Sequence, residues 1–123
     1  DGSPVVIDWT GPEVLDPRFD LGWTLLLTGA YMGVEWRERV LREYERLSGA
    51  PVEDMDFFDV ANCARRLRDI TMSMMLGADA MGMRPGAEQM MKEQMPATRW
   101  VYELLLQRTG IRVPEVEAMF ASA

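Results

Sequence analysis

The chain has no histidine, a single cysteine (Cys63), a single lysine (Lys92) and a single asparagine (Asn62) in 123 residues. Without histidine, neither a Ser-His-Asp nor a Cys-His nucleophile scheme has its base within these residues, and histidine-ligated zinc has no ligand. One thiol closes no internal disulfide and builds no thiolate cage. Cys63 sits between Ala61 and Ala64 in an apolar helical pattern and reads as a small core residue. Long apolar runs are also missing. None approaches the ~20 residues that cross a bilayer, and the first residues lack the charged and apolar regions of a signal peptide. A cytoplasmic setting without a membrane partner is therefore expected. Basic charge is scarce as well: 13 Lys and Arg against 20 Asp and Glu give a formal net charge of −7. Affinity for a nucleic-acid backbone comes largely from clustered Lys and Arg, so no nucleic-acid partner is expected. The acidic surplus reads as a source of solubility.

What is present is mostly helix. A chain of 123 residues is long enough for one domain with its own core, so residues 1–123 are read as a single unit. Asp16 is placed to cap a helix that Pro17 opens and that runs to about Ala30. A second helix spans about Glu35 to Leu47, with Trp36, Val40, Leu41, Tyr44 and Leu47 on one face and Arg37, Glu38, Arg42, Glu43 and Arg46 on the others. Asp56 is expected to cap the longest helix, about Phe57 to Leu76, whose apolar stripe reads Phe57, Ala61, Ala64, Leu67, Thr71 and Met74. A short helix over Ala87 to Met95, another from Pro96 to Thr109 and a last one from Pro114 to Phe120 complete six. Ahead of them, Asp1-Gly2 is a hairpin turn signal and Val5 to Ile7 its second arm. The first arm is missing and no initiating Met is present, which leads us to expect the C-terminal part of a longer protein.

Chemistry concentrates near the start. Val5-Val6-Ile7-Asp8-Trp9 ends an apolar strand in a carboxylate, and Asp16-Pro17-Arg18-Phe19-Asp20-Leu21-Gly22 follows after a loop. This pattern resembles the metal-binding end of the aminoglycoside phosphotransferase and choline kinase-like family, which reads hydrophobic-Ile-Asp-Trp, a loop, Asp-Pro, two residues and Asp-Leu-Ala. Gly22 stands in place of the last Ala, and Thr10 in place of a frequent acidic residue. The resemblance implies a kinase-like fold, of which this chain would be the mainly α C-terminal subdomain with one short strand. It further implies that Asp8 holds Mg²⁺ against the phosphates of ATP, that Asp20 braces the catalytic loop, and that the intact protein phosphorylates a hydroxyl of a small acceptor. The connector from Gly49 to Asp59 is similar to the one that precedes a long helix in these enzymes.

The family's His-Gly-Asp loop, its later metal-binding Asn and its N-lobe Lys are not among these residues, so the chain alone is expected to be inactive. The methionines Met72, Met74, Met75, Met81, Met83, Met90, Met91 and Met95 crowd one stretch. They either line an adaptable pocket or fill an ordinary core. Under the pocket reading, Met75, Met83 and Met91 would touch the acceptor. Gly77, Gly82 and Gly86 lack the spacing, strand and Lys of a phosphate loop and read as a flexible turn. Arg65, Arg66 and Arg68 read as a solvated or ion-paired face ahead of an anion site. The competing class is a non-catalytic helical module that binds a partner or forms a homodimer, with exposed apolar surface from Val5 to Leu27 as its contact.

Overall fold

The computed structural model describes residues 2, 15–77, 79–80 and 82–122, so the predicted strand, the hairpin arm and Asp8 lie outside the described residues. Within them the chain is helical: α1 (Pro17–Met32), α2 (Val34–Ser48), α3 (Met55–Leu76), α4 (Ala87–Glu93), α5 (Met95–Thr109) and α6 (Pro114–Ser122), with no strand among the described residues.

Local chemistry sets most of these limits. Asp16 accepts the backbone N–H of Arg18 at 2.9 Å and Pro17 starts α1, satisfying one orphan donor and removing another. Gly49 and Gly110 end α2 and α5 in the left-handed region at φ 78° and 69°, where a Cβ would be strained, and each returns its N–H to the helix's last turn. The predicted cap of α3 moves. The helix begins at Met55, so Asp56 lies in the first turn, and Asp54 takes the cap position at φ 59°. Asp tolerates this conformation better than most residues. Here the Arg18 guanidinium also holds the turn, donating to Glu53 O at 3.1 Å and to Asp54 Oδ2 at 3.5 Å.

α3 and α5 form the central pair; α1 lies across both, α2 rests on the outer side of α1, and α6 closes the far side of α3 and α5. The core gathers Leu26, Cys63, Leu67, Ile70, Met95, Val101, Tyr102, Leu104, Leu105, Val116 and Met119. Two glycines permit the close crossings of α1. A Cβ on Gly22 would lie 2.7 Å from Asn62 Nδ2, and one on Gly29 would lie 2.3 Å from the Trp100 indole. The burial that the apolar α1 requires is therefore supplied by this chain's own helices. Leu21, Leu25 and Leu26 are buried, which removes them from the contact surface expected over Val5 to Leu27.

Two apolar faces depart from expectation. The buried side of α3 carries Phe58, Asp59, Asn62, Cys63, Leu67, Ile70 and Thr71, while Phe57 and Ala64 are exposed. The helix is rotated from its apolar stripe because two interior positions are polar and satisfied: Asn62 donates to Phe19 O and Phe58 O, and Asp59 is paired. In α2 the reversal is sharper. Arg37 is its one buried residue, whereas Trp36, Tyr44 and Leu47 are exposed.

Candidate functional site

The start of α1 is a fixed acidic corner. Arg18 returns its Nε and Nη2 to the two oxygens of Asp16 at 3.0 and 2.7 Å, a two-pronged geometry that the planar guanidinium favours. Those hydrogen bonds from Arg18 hold the Asp16 carboxyl well below its usual range, at about 2. The same guanidinium lies 4.6 Å from the centre of the Phe58 ring, and Phe19 packs edge-on to Phe58 at 5.0 Å. Arg18 thus ties the mouth of α1 to the first turn of α3. Asp20 is exposed on the first turn of α1, where a carboxylate complements the helix dipole. No group of three acidic, Cys or His residues suited to a metal occurs among the described residues. Asp16 adds no second ligand to a metal at Asp8, because Arg18 occupies both of its oxygens.

The methionine-rich stretch builds a groove of about 340 Å³ between α3 and α4, where Ile70, Met83, Ala87, Met90 and Met91 supply apolar surface and Arg66, Asp69, Ser73, Arg84 and Gln94 supply polar groups. A chain of hydrogen bonds stands beside it: Arg66 Nη2 donates to the Tyr31 hydroxyl at 3.1 Å, and that hydroxyl donates to Gln94 Oε1 at 3.0 Å. Three helical segments are fixed at its edge by these bonds. Met83 and Met91 are brought together here. Met75 is not; it is 70% exposed near the end of α3 and lines no part of this groove. Lys92 pairs with Glu88 at 3.0 Å on the outer face of α4.

A second polar centre escaped the sequence reading. Arg37 of α2 donates through Nη2 to both oxygens of Asp59 at 2.8 and 2.6 Å, and Arg108 of α5 reaches Asp59 Oδ2 through Nη2 at 3.1 Å. Asp59 is wholly buried. The apolar period of α2 assigned Arg37 to a solvated face, and only its break with the acidic residue at the next turn of α3 would have marked it. Cys63, one turn beyond Asp59, is also buried; desolvation, with a smaller contribution from the Asp59 charge, pushes its thiol up to about 12. A thiol in that state is no nucleophile at neutral pH.

No protein-family profile, curated protein or solved structure matches this chain. No helix among the described residues is long and apolar enough to cross a membrane.

Proposed function

We propose that this chain is the helical, acceptor-binding part of an ATP-dependent small-molecule phosphotransferase of the aminoglycoside phosphotransferase or choline kinase kind. The observation that carries the reading is the residue pattern Ile7-Asp8-Trp9, Asp16-Pro17 and Asp20-Leu21 directly ahead of an all-helical bundle. The rigid Asp16–Arg18 corner supports it, since a loop that presents a metal-binding carboxylate works only if its exit is held. In this reading Asp8 contributes one carboxylate to Mg²⁺, whose chemistry is charge neutralisation on the ATP phosphates. Asp20 braces the catalytic loop, and Met83 and Met91 offer the acceptor a deformable apolar surface.

The test is the product of the longest reading frame containing these residues, assayed with ATP and Mg²⁺ against aminoglycosides, choline and sugars. Asp8→Asn is expected to lower turnover by about a hundredfold or more with the fold intact, and Met83→Ala with Met91→Ala to raise acceptor KM with little change in thermal stability. An absence of ATP-dependent phosphorylation in the long form would end the reading.

One observation favours the non-catalytic module instead. Trp36, Tyr44 and Leu47 leave α2 with exposures of 46, 40 and 71% on a helix that packs its backbone against α1 alone. Sedimentation across a concentration series separates the two, because a module that dimerises through α2 would shift to monomer on Trp36→Glu.

A further inference from the structure

Between α2 and α5 runs a groove of about 560 Å³, within the range of small-molecule sites. Its lining includes Arg37, Glu38 and Leu41 from α2 and Trp100, Glu103 and Arg108 from α5. Arg37 is 8% exposed, and while its Nη2 is spent on Asp59, its Nη1 is buried with no hydrogen-bond partner. Such a group is costly: a buried donor without an acceptor forfeits about 1–3 kcal/mol, more when charged. Folded proteins rarely leave one unless an acceptor arrives from elsewhere.

The charges around that nitrogen narrow what the acceptor is. Two guanidiniums, Arg37 and Arg108, share the single buried carboxylate of Asp59; the other partner of Arg108, Asp56, is 76% exposed and solvent-screened. The depth of the groove is therefore cationic. Its rim is acidic, because Glu38 and Glu103 are both exposed, and the one ion pair of Glu38, to Arg42, is a loose 3.5 Å contact in solvent. A simple anion is drawn to the depth and repelled at the rim, and a simple cation meets the reverse. A ligand bearing both charges satisfies both, and Trp100 and Leu41 offer its body an apolar wall. The Trp100 ring is held in place from behind by the bare backbone of Gly29.

We infer that this groove binds a small zwitterion with an apolar body, of the class of an apolar α-amino acid. Its carboxylate accepts from Arg37 Nη1 beside Arg108, its ammonium faces Glu38 and Glu103, and its side chain covers Trp100 and Leu41. The site lies away from the acidic corner of α1 and does not depend on the phosphotransferase reading.

The experiment titrates three probes into the isotopically labelled protein, following the Trp100 indole N–H and the Arg37 Nε–H by NMR. The probes are phenylalanine, 3-phenylpropionate, which lacks the ammonium, and phenylalaninamide, which lacks the carboxylate. Phenylalanine is expected to shift both signals saturably, and loss of either charge to weaken binding about tenfold or more. Leu41→Trp, which narrows the groove and leaves the Arg37–Asp59–Arg108 bonds in place, is expected to weaken phenylalanine to the same degree with an unchanged circular dichroism spectrum. No saturable shift up to about 10 mM, or equal binding of phenylalanine and either truncated probe, would overturn the inference.

Discussion

Arg37 Nη2 sits 2.6 Å from Asp59 Oδ2, and this contact is what joins α2 to the centre of the molecule. The backbone of α2 approaches only α1, so the bond from Arg37 to α3, reinforced by Arg108 from α5, is the polar anchor of an otherwise peripheral helix. A buried ion pair is costly to form and costlier to break on one side, since the surviving charge stays buried without its partner.

Asp59→Ala is accordingly expected to cost about 3–5 kcal/mol in urea unfolding at neutral pH. The double variant Arg37→Met with Asp59→Leu is expected to cost clearly less than that single change, because no unpaired charge then remains in the interior and Arg108 keeps Asp56. Equal losses in the two would show that the pair acts only through its packing volume.

Gly22 and Asn62 are coupled in a different way. Gly22 occupies the place where the phosphotransferase pattern carries Ala, and the reason lies across the helix crossing: a Cβ there would meet Asn62 Nδ2 at 2.7 Å and Phe58 Cβ at 3.3 Å. Gly22→Ala is expected to lower stability by about 1 kcal/mol, the crowding outweighing the better helix propensity of Ala. In an Asn62→Ala background the same change is expected to be neutral or stabilising. A double-mutant cycle with no coupling would contradict this account.

Such pairs explain how unevenly the fold could be read from the sequence. The ends of α1 and α5 were legible because Asp16, Pro17 and Gly110 act through local backbone chemistry that needs no knowledge of neighbours. The buried side of α3 was not, because apolar periodicity treats Asp59 and Asn62 as outward-facing, and only their partners on α1, α2 and α5 make the interior acceptable. Arg37 was misassigned for the same reason. Of the expected acceptor contacts, Met83 and Met91 share one groove and Met75 does not, since clustering in sequence says nothing of which way the end of α3 turns. Asp8 falls outside the described residues, and its role stays where the residue pattern left it.

Cys63 gives a direct probe of core integrity. Desolvation holds its thiol near 12 in the folded chain against an ordinary value of 9.0. The folded state thus favours the neutral thiol, and this contribution to stability is present below pH 9 and is lost progressively as pH rises above it. At pH 8 a disulfide reagent is expected to leave native protein unmodified and to titrate one thiol after unfolding. The rate of native modification should follow the urea dependence of global unfolding, and fast labelling in the absence of urea would place Cys63 at the surface.

The Asp16–Arg18 fork makes the opposite prediction at low pH. The folded carboxyl titrates near 2 against an ordinary 3.8, so between those values the unfolded chain binds a proton that the folded chain refuses. The pair's contribution is therefore complete above the unfolded value and is lost as pH falls through about 2. Asp16→Asn keeps a competent cap while deleting the charge. The difference in melting temperature between wild type and this variant is expected to be constant from pH 7 to about 5, to narrow below pH 4, and to shrink with added salt because the pair is partly exposed. Carbon-detected NMR checks the cause independently: the Asp16 carboxyl midpoint should rise toward its ordinary range in Arg18→Leu. A midpoint that stays near 2 without Arg18 would transfer the credit to the α1 dipole and remove the fork as the device that holds this corner.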